Sequence, residues 1–146
     1  MALALEQARL AEARGEVPIG AVVVRDGEVL AAAGNQREAD QDPTAHAEIL
    51  VIRKAAELIG SWRLEGCTVY VTLEPCSMCA GAMVLARIER CVYGATDPKG
   101  GFVGTLGDLS AHPGLNHRFE VLAGVEAEAS GRLLTEFFQK IRARKR

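Results

Sequence analysis

A chain of 146 residues can form one domain burying about two-thirds of the surface it exposes when unfolded, and we read residues 1–146 as that domain. Apolar residues make up 49% and charged residues 25%, an ordinary globular balance, and no apolar run nears the roughly 20 residues of a membrane helix. The net charge of −2 excludes a uniformly basic surface but leaves room for a local cationic patch.

Met1 to Arg14 mixes Glu6, Arg9, Glu12 and Arg14 with Leu3, Leu5, Ala8, Leu10 and Ala11. It lacks the charged-then-apolar order of a secretion signal and predicts an amphipathic helix that Gly15 stops. Ile19 to Arg25 is a β-branched, apolar strand, and Asp26-Gly27 predicts a type I′ hairpin turn into Glu28 to Ala33. Gly34 to Pro43 is polar and predicts a loop. Ala45 to Ile59 carries Ile49, Ile52, Ala56 and Ile59 on one helical stripe, started by Asp42 with Pro43, or by Thr44, and stopped by Gly60. Cys67 to Leu73 predicts a buried strand, Ser77 to Arg87 a helix, and Arg90 to Ala95 another buried strand. Asp97 to His117 is Gly-rich and irregular; Phe119 to Ala123 then predicts a last strand and Glu126 to Arg142 a last helix. A hairpin followed by strand–helix–strand units implies an α/β fold with a mixed sheet and helices on both faces. Such sheets bind ligands beyond the carboxyl ends of their strands, where Glu74-Pro75-Cys76 falls.

His46-Ala47-Glu48 and Pro75-Cys76-Ser77-Met78-Cys79 carry the chemistry. One imidazole and two thiols three residues apart are zinc ligands that leave a fourth corner open, as catalytic zinc requires. Taken singly, His46 is an ordinary core histidine, Glu48 a helix N-terminal charge, and the cysteines a structural zinc knuckle. A knuckle needs a fourth protein ligand, however, and none is apparent. Cys67 and Cys91 sit in apolar runs as buried small hydrophobes, while His112 and His117 lie far along in a loop. With His46 and Cys76 both in the first turn of a helix, two helix N-termini favour thiolate, and a metal-bound water can ionise near pH 7. Glu48 is too close to His46 on a helix to be a fourth ligand, and is placed to move protons. Unpaired cysteines suit a reducing cytoplasm.

H-x-E…P-C-x-x-C is the signature of zinc nucleobase deaminases. The resemblance extends to Glu16-Val17-Pro18-Ile19-Gly20-Ala21-Val22, to Asp42-Pro43-Thr44-Ala45 before His46, and to Thr72-Leu73-Glu74 before Pro75. It continues through Gly94-Ala95-Thr96-Asp97-Pro98-Lys99-Gly100-Gly101 and His112-Pro113-Gly114-Leu115-Asn116-His117. These blocks resemble bacterial tRNA-specific adenosine deaminases, of the cytidine/deoxycytidylate deaminase superfamily. The resemblance implies a homodimeric, three-layer α/β/α sandwich with a mixed five-stranded sheet. It implies one zinc ion per subunit on His46, Cys76 and Cys79, with Glu48 as the catalytic proton shuttle. The substrate it implies is a tRNA anticodon stem-loop, chiefly of the arginine tRNA in bacteria, whose wobble adenosine becomes inosine. Asn35 matches a residue that hydrogen-bonds the flipped nucleotide; its alternative is a turn residue after Gly34.

Two features depart from the family. Relatives often carry a few more residues before the first helix, and Gln36 to Gln41 is more acidic than a loop beside phosphates needs, so we read it as facing outward. Asp97, Lys99, Asn116, His117 and Arg118 lie in loops that can rim the pocket. Lys140, Arg142, Arg144, Lys145 and Arg146 make a basic C-terminus, either a phosphate contact or a solvated helix end complementing the dipole. Phe137 and Phe138 can line an RNA surface, with at least one of them in the core. A guanine or cytosine deaminase shares the zinc motif, and the net charge suits a small substrate; only the 94–118 segment speaks against it. A riboflavin-pathway deaminase spaces its cysteines more widely. A silent RNA-binding or structural zinc module would have no use for Glu48.

Overall fold

The computed structural model describes residues 1–145, so Arg146 of the basic tail lies outside the described residues. Its strands are β1 (Gly20–Arg25), β2 (Glu28–Gly34), β3 (Thr68–Leu73), β4 (Arg90–Ala95) and β5 (Glu120–Leu122). Its helices are α1 (Ala2–Ala13), α2 (Arg37–Asp40), α3 (Ala47–Ile59), α4 (Ser77–Ala86) and α5 (Ala127–Arg144). The strands form one five-stranded sheet in the order β2-β1-β3-β4-β5. β1 is antiparallel to β2 and β3, while β3, β4 and β5 are parallel, so the sheet is mixed as predicted. In consequence β2, β3 and β4 all end on one edge, beside the start of β1. The functional residues gather on that edge.

Between β1 and β2, Asp26 and Gly27 take φ of 52° and 76°, the two left-handed positions of a type I′ turn. Side chains then alternate between the faces of the sheet. Ala21, Val23, Val69, Val71, Cys91 and Tyr93 meet Ala47, Val51 and Ala55 of α3 and Ala80 and Met83 of α4 in the main core. α1 and α5 cover the opposite face, which makes the three-layer α/β/α sandwich. α1 presents the fully buried stripe Ala4, Ala8 and Ala11. It lies so close to β1 that a Cβ on Gly20 would fall 2.0 Å from the Ala4 carbonyl oxygen. Glycine is needed there for proximity, not for its dihedral freedom.

The differences from the predicted elements are local and have physical causes. α2 lies within the predicted loop 34–43, and its Glu38 and Ala39 N–H groups are satisfied by the Glu16 carboxylate at 3.0 and 2.8 Å. A partner so far back in the chain leaves no local pattern. α3 starts at Ala47, and neither Asp42 nor Thr44 caps it; Asp42 instead accepts the Thr44 N–H at 2.8 Å and hydroxyl at 2.7 Å, closing its own turn. The last strand shrinks to three residues because it pairs only with β4. The last helix runs two residues further than predicted, to Arg144.

Candidate metal centre and active-site cavity

Pro75 carries the chain out of β3 with its φ fixed, and Cys76 follows in an extended conformation as the N-cap of α4 (φ −74°, ψ 177°). Cys79 is then the third helical residue. N-cap and third-residue side chains face each other at any helix start, the relation that a capping box also uses. His46 likewise is the N-cap of α3 (φ −74°, ψ 150°), with its carbonyl accepting the Leu50 N–H at 3.1 Å. Both donor residues therefore stand one residue ahead of the first turn of their helices. There an extended backbone turns the side chain back over the unpaired N–H groups of its own helix.

The two helix starts converge. His46 Nδ1 lies 3.7 Å from Cys76 Sγ and 3.5 Å from Cys79 Sγ, and the three donor atoms all fall within 4.8 Å of one another. A tetrahedral metal at ordinary zinc–sulfur and zinc–nitrogen lengths needs sulfur–nitrogen separations of roughly 3.6 Å. The donor set thus fits a tetrahedral, thiolate-accepting metal with one corner left over. The Cys76 thiol is pulled down to about 4, first by a hydrogen bond from Cys79 and then by His46. Cys79, the donor of that bond, is pushed up from the ordinary thiol value. His46 is raised, chiefly by its hydrogen bond to Cys76.

Glu48, the second residue of α3, is only 4% exposed. Burial lifts its carboxyl to about 7. It stands beside the three donors and faces the same cavity, about 810 Å³ in volume. His46, Glu48 and Cys76 line its inner part. Asn35 and Arg37 form one rim, Thr96, Asp97, Pro98 and Lys99 another, and Leu134, Phe138 and Arg142 of α5 the third wall.

Of the predicted site residues, Asn35 is buried in the cavity wall, its N–H donating to Ile19 at 3.0 Å and its Oδ1 accepting the Arg37 N–H at 3.3 Å. Asp97 and Lys99 are on the rim, where Asp97 Oδ1 accepts the Lys99 and Gly100 N–H groups at 3.0 and 3.2 Å. Asn116 and His117 do not line the cavity. Asn116 is exposed, and His117 Nε2 donates to the Ile88 carbonyl at 2.7 Å, tying its loop to the α4–β4 turn. Arg118 donates to the Pro113 carbonyl at 2.9 Å, also away from the cavity.

In the basic C-terminus, Arg142 reaches the cavity, Lys140 pairs with Glu12 at 3.3 Å, and Arg144 and Lys145 are exposed beyond it. Phe137 is core, whereas Phe138 is 43% exposed on the cavity wall. Sequence reasoning missed Arg37, Leu134 and Glu74. Arg37 had one signal, as the only cation between Asn35 and His46, but its acidic neighbours obscured it.

The chain matches the model of the MafB19-like deaminase family over residues 1–142. It is 54% identical over 143 residues to a tRNA-specific adenosine deaminase of Bacillus subtilis (strain 168), covering 98% of this chain and 89% of that one. A solved structure from work on A-to-I editing by tRNA:A34 deaminases at the wobble position of transfer RNA superposes with a TM-score of 0.89. It is 51% identical, over 92% of this chain and 97% of that one. A guanine deaminase from Nitrosomonas europaea shares the fold at a TM-score of 0.76 but is only 26% identical, over 93% of this chain and 81% of that one. Identity at half of all positions over nearly the full length separates the first two from the third. The chain belongs to the MafB19-like deaminases and, within them, to the tRNA-specific adenosine deaminase family.

Proposed function

We propose that this protein is a zinc-dependent hydrolase that deaminates the wobble adenosine of a tRNA anticodon stem-loop to inosine. One observation carries the reading: buried Glu48 and the metal donors His46 and Cys76 share a cavity with exposed Arg37, Lys99 and Arg142. Three cations at one mouth, on a chain of net charge −2, are a footprint for phosphates. The Phe138 ring beside them offers a face on which an unstacked base can rest.

His46, Cys76 and Cys79 would hold one zinc ion per subunit, which would supply the Lewis acidity for water to act as a nucleophile near neutral pH. Glu48 takes a proton from the water attacking C6 of adenine and delivers it to N1. Glu48 then takes the remaining hydroxyl proton at C6 and passes it to the departing amine as the C6–N bond breaks, so adenosine and water give inosine and ammonia. Asn35 hydrogen-bonds the flipped nucleotide. Asp97 and Lys99 meet its sugar and phosphate from the other rim. An anticodon loop already presents its bases unpaired, which lowers the cost of flipping.

A free-base deaminase of guanine or cytosine type would have no use for three cations at the mouth. Incubating the protein with adenosine, cytidine, guanine and a stem-loop bearing a wobble adenosine tests the choice. Inosine in the stem-loop is expected; rapid turnover of a free base with an inert stem-loop overturns it.

The reading includes a single deaminase domain that works as a homodimer in the cytoplasm. Leu58 near the end of α3, Trp62 in the loop that follows it and Leu85 near the end of α4 are 65%, 58% and 71% exposed, an apolar surface suited to a second copy. All four cysteines are free, which suits a reducing compartment, and no helix among the described residues is long and apolar enough to cross a membrane. Sedimentation at micromolar concentration checks the dimer; a monomer mass rules it out.

A further inference from the structure

Two carboxylates near the cavity are almost fully buried, Glu16 at 1% and Glu74 at 2% exposure, and neither is in an ion pair among the described residues. Burying a carboxylate without hydrogen bonds is strongly unfavourable, so what satisfies these two is informative. In both cases it is chiefly backbone N–H groups in the segments that carry the cavity rims, Asp97 being the one partner that itself lines the cavity. Glu74 Oε1 accepts the Asp97 N–H at 3.1 Å and the Thr105 hydroxyl, while Oε2 accepts the N–H groups of Val103 at 3.2 Å and Thr105 at 3.1 Å. Gly101 passes so close that a Cβ there would lie 2.3 Å from the Glu74 carboxyl carbon. On the other rim, Glu16 accepts the two N–H groups that open α2, directly after Asn35 and Arg37.

The two rims rise from the ends of β2 and β4, three strand spacings or roughly 14 Å apart, with the Cys76 segment between them. Glu74 is also tied to that segment. Its N–H donates to Ala95 at 2.8 Å, and the Pro75 carbonyl accepts the Phe102 N–H at 2.9 Å. The clasp thus references the rim to the metal ligands and not merely to the sheet.

We infer that Glu74 and Glu16 are positioning residues for the substrate, each holding one cavity rim at a fixed distance from the metal centre by gathering its backbone N–H groups. Asp97 and Lys99 on one side, and Asn35 and Arg37 on the other, then meet the nucleotide without first having to order a loop. The inference rests on the nucleotide-substrate reading above. Its chemistry is specific. Every partner of the Glu74 carboxylate donates to it, and both of its oxygens are used. Glutamine has the same shape but turns an NH₂ toward a backbone N–H in either orientation: toward Asp97 N–H in one, and toward both Val103 and Thr105 N–H in the other.

The test compares wild type with Glu74→Gln, Glu16→Gln and Thr105→Val, all metal-loaded. Four quantities are read: metal content, melting temperature, amide exchange across 37–40 and 97–105, and stem-loop deamination. Glu74→Gln is expected to keep its metal, to accelerate exchange in 97–105 but not in 37–40, and to raise KM about tenfold with a smaller fall in kcat. Glu16→Gln should do the same at the other rim. Thr105→Val, which loses one hydroxyl from the clasp, should shift KM in the same direction by about twofold and serves if Glu74→Gln does not fold.

Lowered melting temperatures with KM and kcat unchanged would make both carboxylates plain fold braces and overturn the inference, as would metal loss in either variant. If wild type turns over no RNA, the substrate reading fails instead. The exchange pattern then still decides whether the carboxylates order the rims.

Discussion

The metal centre and the cavity rims are built by opposite means. At the centre, Cys76 and Cys79 are set by one helix start, and His46 and Glu48 by another, so each half is fixed within four residues of sequence. The rims are loops held by carboxylates from distant positions, Glu16 reaching 22 and 23 residues ahead and Glu74 reaching 23 to 31. Local geometry suits chemistry that must be accurate, because a helix N-cap has few ways to go wrong. Long-range clasps suit a surface whose shape follows its ligand, because the loop between anchor points can vary.

That division makes separable predictions. Stripping the metal with a chelator, or replacing Cys79 with Ser, should abolish deamination, with metal content and activity falling together. Glu48→Gln should leave metal in place and lower kcat by roughly 10²- to 10⁴-fold with stem-loop affinity retained. If it instead weakens binding as much as a rim variant does, the division fails. Phe138→Ala should do the reverse, weakening stem-loop binding by about 1–3 kcal/mol while metal content stays intact, as a titration would show. Lys99→Gln and Arg142→Gln should each reduce the slope of log affinity against log salt by about 1. Deleting residues 144–146 should flatten it least, since Arg144 and Lys145 lie beyond the cavity; a larger change than for Arg142→Gln would extend the RNA surface along the tail.

What the sequence revealed follows the same line. His46, Glu48, Cys76 and Cys79 are legible because their spacing is itself the geometry. The Asp26-Gly27 turn and the apolar strands were legible because turn chemistry and burial patterns are local. The start of α3 was read two residues early, at Ala45, since Thr44 and Asp42 are better side-chain caps than His46 and satisfy each other instead. α2 and the Glu74 clasp were not legible. A short helix whose N–H partners sit on Glu16 carries no periodicity of its own, and an acidic residue at the end of an apolar strand looks like a solvent-facing terminus. Arg37 was hidden among Glu38, Ala39 and Asp40, which are exposed as it is but do not line the cavity.

The third wall follows neither plan. α5 is seated by contact, with Gly94 leaving room for Ser130, Gly131 lying against Ala95, and an exposed Lys140–Glu12 pair further along. No hydrogen-bonded clasp joins it to either rim among the described residues. Side chains at 134, 135 and 138 can therefore be exchanged without loosening the loops that carry Asn35 and Asp97. For anyone redesigning which nucleic acid enters this cavity, the C-terminal helix is the modular part and the two clasped loops are the chassis.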